Sequence, residues 1–166
     1  MTFADIPAGA AVFFDANTFV YHFTSEPTYG AAYTAILERL QSRDIEGWVS
    51  PHVLAETSHR LMTIEACAVF GWPYQGIASR LREHPPHIQR LARFHQALVE
   101  IDRLGLQVAG VTEGHVMQAA DISRAHGLLT NDALLVAVMQ SRGLRNLASN
   151  DADFDRVPGI SRFAPV

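Results

Sequence analysis

The acidic residues Asp15, Glu56, Asp132 and Asp151 are far apart in the chain, yet their neighbourhoods are alike. Asp15 ends the apolar run Ala10-Ala11-Val12-Phe13-Phe14, and Asp151 follows Leu147-Ala148-Ser149. Glu56 and Asp132 fall early in helical segments that begin at Ser50-Pro51 and Thr130-Asn131. Brought to one edge of a sheet, four carboxylates repel one another and each holds its proton more tightly. One or two divalent cations among them relieve that repulsion, and a donor set made only of hard oxygens suits Mg²⁺ or Mn²⁺. Such ions activate water and neutralise charge on a phosphate in transfer, so these residues suggest nuclease chemistry.

For the acids to meet, the chain must place them at the same edge. Ala10 to Phe14 is short and continuously apolar, as a buried parallel strand is. Tyr33, Ile36, Leu37 and Leu40 are spaced like one face of a helix over 29–41, and Gly47-Trp48-Val49 predicts a second strand. Ser50 can cap and Pro51 can occupy the first turn of the helix carrying Val53, Leu54, Glu56 and Leu61. The stretch from Thr63 to Asp102 predicts two helices joined by a loop, with breaks at Gly71-Trp72-Pro73 and Pro85-Pro86. Leu106 to Ala109 is strand-like, and Thr112-Glu113 opens a helix to about Ala125. The helix from Thr130, apolar on every side through Met139 and stopped at Gly143, fits between layers, and Leu147-Ala148-Ser149 makes the last central strand. Strands alternating with helices give an α/β sandwich with a mainly parallel sheet, whose ligand crevice lies beyond the carboxyl ends of the strands.

A length of 166 residues predicts a single domain over 1–166, with a helical embellishment at about 63–104. Composition narrows the possibilities further. Hydrophobic residues make up 48% and charged residues 18%, which supports a packed core and excludes a disordered chain. The net charge of −4 excludes a molecule that is basic all over, so nucleic-acid contact has to be local. Between Arg80 and Arg103 there are five Arg, three His and only three acids, and Arg82, Arg90 and Arg93 are the candidate RNA contacts. The single Cys67 rules out an intrachain disulfide and a thiolate zinc site, and a reducing cytoplasmic location follows as the expectation. No segment reads as a signal peptide or a membrane span.

Each candidate also has a plainer role. Asp15 can end a strand and cap a turn, Glu56 can pair with Arg60 or His52 at a spacing of four, and Asp132 can complement a helix dipole. Asn17 either fixes the turn after the first strand or supports a metal-bound water. Trp48, Trp72 and Phe94 read as core rather than as stacking platforms. Asp151, Asp153 and Asp155 alternate like the start of a calcium loop, but Arg156 and Arg162 stand where that loop needs Gly and Glu. His22, His52 and His59 lack zinc-protease spacing.

Four segments in order carry a family resemblance: Asp15-Ala16-Asn17-Thr18-Phe19-Val20-Tyr21, Ser50-Pro51-His52-Val53-Leu54-Ala55-Glu56, Thr130-Asn131-Asp132-Ala133-Leu134 and Ser149-Asn150-Asp151-Ala152-Asp153-Phe154. Together they resemble the successive motifs of PIN-domain ribonucleases, including VapC-type toxins. The resemblance implies a three-layer α/β/α sandwich with a central, mainly parallel sheet. It also implies a Mg²⁺- or Mn²⁺-dependent endoribonuclease that leaves 5′-phosphate and 3′-hydroxyl ends without a covalent intermediate. Metal ligands fall on Asp15, Glu56, Asp132 and Asp151, with Asn17 in support, and Asp153 competes with Asp151 for the last place. An antitoxin partner and a homodimer are implied as well, and the segment from Ala66 to Leu104, apolar on one side and Arg-rich on the other, is the expected place of both the dimer contact and the rim of the RNA groove. Two other classes stand beside this one. A PIN-like fold can serve as a non-catalytic RNA-binding or assembly module. A haloacid-dehalogenase-type phosphatase also begins with a strand and an Asp, but it needs an Asp where this chain has Asn17 and a Lys, which this chain lacks.

Overall fold

The computed structural model describes residues 1–166. Its centre is β1 (Ala11–Phe14), in which Val12, Phe13 and Phe14 are wholly buried. β2 (Glu46–Val49) and β4 (Asn146–Ala148) pair with β1 on its two sides, Phe13 lying opposite both Trp48 and Leu147. β3 (Gln107–Val108) and β5 (Ser161–Phe163) form the edges, giving the order β3-β2-β1-β4-β5 with every pairing parallel. The sheet is thus wholly parallel, one step beyond the mainly parallel sheet that the sequence predicts.

This order reverses direction between β1 and β4. The chain moves outward from β1 through β2 to β3, then returns to start β4 on the other side of β1. Right-handed crossovers therefore put the two sets of helices on opposite faces. One set is α1 (Ala16–Phe23), α2 (Gly30–Gln41), α3 (Pro51–Phe70), α4 (Ile77–Glu83), α5 (Pro85–Ile88) and α6 (Arg93–Asp102). The other is α7 (Glu113–His126) with α8 (Thr130–Ser141), whose Leu135 to Met139 are all buried, as its apolar sequence predicts. The result is a three-layer α/β/α sandwich. No helix is long and apolar enough to cross a membrane.

Several local features differ from the sequence expectation, for physical reasons. Between Thr63 and Asp102 there are not two helices but the end of α3 followed by α4, α5 and α6. Pro85-Pro86 opens the four-residue α5 instead of only ending α4, since proline fits a first helical turn. α3 stops where Gly71 takes a left-handed conformation at φ 66°. The start of α6 has no side-chain cap of its own. Instead the buried Glu65 of α3 accepts N–H bonds from Ala92 (2.9 Å), Arg93 (3.1 Å) and Phe94 (3.1 Å), locking the extra helices to α3. A satellite core of Ala66, Ile77, Leu81 and Leu91 lies beneath them. The short α1 and the edge strand β5 are not foreseen in the sequence reading.

Gly47 sits where three side chains meet β2. A Cβ there would come within 2.5 Å of Leu106, 2.7 Å of Leu40 and 2.9 Å of Phe14. Gly47→Ala should therefore destabilise the fold by about 1–3 kcal/mol through overpacking. Urea unfolding checks this: the midpoint should fall at constant slope, and an unchanged midpoint would mean that the pocket around β2 yields freely.

Candidate active site

Asp15 follows the last residue of β1 and caps α1, so its backbone is fixed by a strand on one side and a helix on the other. The carboxylate is 7% exposed and accepts three hydrogen bonds. Ala16 N–H donates to Oδ1 at 2.6 Å, while Ser149 Oγ (2.7 Å) and Asn17 Nδ2 (2.9 Å) donate to Oδ2. Ser149 follows β4 and is fully buried, and its Oγ also accepts the Asp151 N–H at 3.0 Å. One hydroxyl thus ties Asp15 to the segment carrying Asp151 at the point where strand order reverses, where open α/β sheets hold their ligands.

α3 adds the next charge. Glu56 lies in its second turn and pairs with Arg60 one turn later at 3.8 Å, the spacing-of-four pair that the sequence allows. Arg60 also donates to Asn17 Oδ1 at 2.7 Å, so Asn17 bridges Asp15 to a guanidinium and the amide is engaged at both ends. Asp132 occupies the first turn of α8, where the helix dipole favours an anion. Asp151 caps the 3₁₀ turn Ala152–Arg156 by accepting the Asp153 N–H at 2.8 Å, and Asp153 itself pairs with Arg156.

These charges act on one another. The Asp132 carboxyl is pushed up to about 6, first by burial and then by the negative charges of Asp15, Asp151, Glu56 and Asp153. The Asp15 carboxyl is also raised, chiefly by burial and further by Glu56, against the opposing effect of the Ser149 bond. The acids therefore share one electrostatic field. Their side chains are not drawn in to ligand distance, since no three acidic, His or Cys groups stand close enough to hold one ion together. Mutual repulsion favours that separation, and Arg60 and Arg156 draw Glu56 and Asp153 to themselves. The donor set is nonetheless hard oxygen throughout and suits Mg²⁺ or Mn²⁺. None of these acids lines the apolar cavity of about 350 Å³ between Val49, Leu54, Ile101 and Val108.

Arg82, Arg90 and Arg93 do not join this group. Arg90 lies over the ring of Phe70 at the end of α3, about 20 Å along the helix from Glu56 at 1.5 Å per residue. Arg82 is exposed on α4, and Arg93 is exposed at the start of α6. Trp48 and Trp72 are half-buried, Trp48 packed against the main core and Trp72 against the satellite core, as the core reading expects. Ser149 and Arg60 were not singled out as site residues by the sequence. Ser149 carried a signal all the same, being a hydroxyl between an apolar strand and the Asp151 motif.

The PIN domain family profile matches residues 12–160. Among solved structures, VapBC2 from Rickettsia felis, bound to a DNA fragment from its promoter, aligns with a TM-score of 0.56 at 17% identity, covering 94% of this chain and 99% of that one. VapC20 from Mycobacterium tuberculosis, a toxin that cleaves the sarcin-ricin loop, aligns at 0.55 and 20%, covering 87% and 92%. A toxin-antitoxin complex from Klebsiella pneumoniae aligns at 0.50 and 14%, covering 90% and 95%. These structures are similar in fold. No curated protein sequence matches.

Because Asp132 holds its proton more tightly in the folded protein than in the unfolded chain, the folded state binds more protons between the ordinary carboxylate value and about 6. The stability contributed by this group is therefore greatest at low pH and is lost as pH rises through that window. In EDTA, Asp132→Asn should melt higher than wild type at neutral pH and lose this part of the pH dependence. Parallel curves of Tm against pH for the two proteins would remove Asp132 from the shared field.

Proposed function

The chain belongs to the PIN domain family, and from that premise we propose that it is a Mg²⁺- or Mn²⁺-dependent endoribonuclease acting as the toxin of a toxin-antitoxin pair. Family membership supports a nuclease in general. The observation that carries the finer reading is the meeting of Asp15 and the Asp151 segment at the strand-order reversal, with Glu56 and Asp132 sharing their electrostatic field.

In this reading Asp15, Glu56, Asp132 and Asp151 hold one or two ions. Asp151 is preferred over Asp153, because the Asp153 charge is already engaged by Arg156. The bound ions would supply Lewis-acid neutralisation of phosphate charge and a more acidic water. The chain's own residues do the positioning. Three hydrogen bonds fix the rotamer of Asp15, so that its carboxylate needs little reordering on loading. Asn17 on α1 braces it and is itself held by Arg60 of α3, which also offsets the repulsion between Glu56 and its neighbours. No Ser or Cys nucleophile is required, in keeping with direct attack by water. An open acidic edge suits a polymer that lies across the surface, and RNA is the polymer proposed.

The neighbours support the partner assignments. Two of the similar structures are toxin-antitoxin assemblies, and we extend that arrangement to an antitoxin for this chain, with a homodimer and a cytoplasmic location as further parts of the proposal.

Asp15→Asn, Glu56→Gln, Asp132→Asn and Asp151→Asn should each reduce cleavage of single-stranded RNA by at least about a hundredfold, the upper end of losses for residues that only support metal ligands. Asp153→Asn should retain most of the activity. Inactivity of Asp153→Asn with activity of Asp151→Asn would reverse that assignment. Independently of turnover, millimolar Mn²⁺ should raise the Tm of the wild type and raise it less in each of the four variants, because a cation that binds only the folded site stabilises it by mass action.

A further inference from the structure

The far end of α3 carries a second concentration of reactive side chains that the acidic edge does not use. Five planar groups contact one another there in a continuous row. Arg80 lies over the Trp72 ring at 5.5 Å, Trp72 meets His87 at 4.9 Å, His87 meets Phe70 at 4.7 Å, and Arg90 lies over Phe70 at 5.1 Å. His84 flanks the row, 5.9 Å from Trp72 and 5.4 Å from His87. Tyr74, in the loop after α3, is 63% exposed and its ring is stacked on nothing.

Charge at this end is unbalanced. Residues 71–93 contain Arg80, Arg82, Arg90 and Arg93 but only one acid, Glu83, in a protein whose net charge is −4. All the ion pairs of the molecule involve Arg39, Arg60, Arg156 and Arg162. The four arginines of this cap form none, and their side chains donate no hydrogen bond to the protein. A guanidinium whose face rests on a ring keeps its N–H rim free and is already oriented to grip a phosphate through two parallel bonds. Packing alone would be served by aliphatic side chains over the satellite core. It gives no reason for unpaired guanidiniums, the exposed His84 imidazole and an uncovered tyrosine together. An exposed ring such as Tyr74 beside unpaired arginines is instead the chemistry that holds single-stranded nucleic acid, a base on the ring and phosphates on the cations.

We propose that this cap is a second RNA-binding site, in which Arg80 and Arg90 take phosphates and Tyr74, beside the Trp72 row, takes an unpaired base. It rests on the ribonuclease reading and adds to it a substrate requirement. The cap lies about 20 Å along α3 from Glu56, so it engages RNA several nucleotides from the bond being cut. Short fragments reach only the acidic edge, whereas longer single strands or loops reach both. The acidic edge repels the RNA backbone in the absence of metal, so the cap supplies the attraction that holds substrate while the acids do the chemistry.

The experiment measures binding in EDTA, where cleavage is silent. With Trp48→Phe, Trp72 is the only tryptophan and reports on the cap. A long single-stranded oligouridylate should quench or shift its emission, and a di- or trinucleotide should do so far less. Tyr74→Ala and the double variant Arg80→Gln/Arg90→Gln should each weaken binding of the long strand by about tenfold or more. With metal restored, the double variant should raise KM for long RNA and leave kcat near that of the wild type. Should Tyr74→Ala fold poorly, the double variant alone decides the case, since its positions are exposed or half-buried. Wild-type affinity of the double variant for the long strand overturns the proposal while leaving the ribonuclease reading intact. Absence of any RNA cleavage by the metal-loaded wild type overturns that reading first. An equal response of Trp72 to polyglutamate would show that charge alone is recognised, and would overturn the base-stacking site in favour of an acidic protein partner.

Discussion

A carboxylate sealed at the end of the central strand is the constraint on which the rest of this structure depends. Asp15 is almost fully buried, and a buried carboxylate is costly unless its lone pairs are met. The structure meets them from three sources: the first N–H of α1, the Asn17 amide and the Ser149 hydroxyl. Each source requires an element to be where it is. α1 must start at once after β1, β4 must lie beside β1 so that Ser149 can reach across, and α3 must bring Arg60 to the far side of Asn17. The parallel register of β1 and β4 is thus bound up with the geometry of the site. A change of register between those strands would take the Ser149 hydroxyl away and leave the buried carboxylate with only the local donors of Ala16 and Asn17.

The parts of this arrangement that a sequence shows are those written in short runs. Val12-Phe13-Phe14 followed by Asp15 announces a buried strand ending in an acid, and Pro51 and Gly71 punctuate α3 by the backbone restrictions peculiar to each residue. The three layers follow from the alternation of such runs. Less visible is everything decided by contacts between distant residues. β5 has only three residues, one of them Arg162, and becomes a strand because β4 offers it a free edge. α1 is masked by the motif residues at its start. The cap on α6 cannot be read locally at all, since it comes from Glu65 on another helix.

The candidate site divides in the same way. Acids at strand ends and helix starts are legible because topology sends both to one edge, and Asp15, Glu56, Asp132 and Asp151 stand out in the chain on that ground. The Glu56–Arg60 pair is legible as a spacing of four, but the bonds of Arg60 to Asn17 and of Ser149 to Asp15 are not, because they span 43 and 134 positions. The cluster at Trp72 shows the limit most sharply. From the chain alone a tryptophan near apolar residues reads as core, and Trp72 does pack on the satellite core, but only the structure shows that its other contacts are a row of rings and guanidiniums.

The uneven charge of the molecule is a consequence of these two ends rather than of its total. α3 is 20 residues long, with Glu56 beside the other acids near its start and Phe70 under Arg90 at its end. One rigid helix therefore holds a negative region and a positive region at a fixed separation of about 20 Å, more than twice the screening length of about 8 Å at physiological salt. At that distance the two fields do not cancel in solution, so each end presents its own sign of charge to what approaches it: negative at one, positive at the other. A polyanion long enough to touch the positive end is brought to a surface whose negative end repels it until cations neutralise the acids. In the proposed ribonuclease reading, electrostatics sets the order of events, cations neutralising the acidic edge before a strand lies across it.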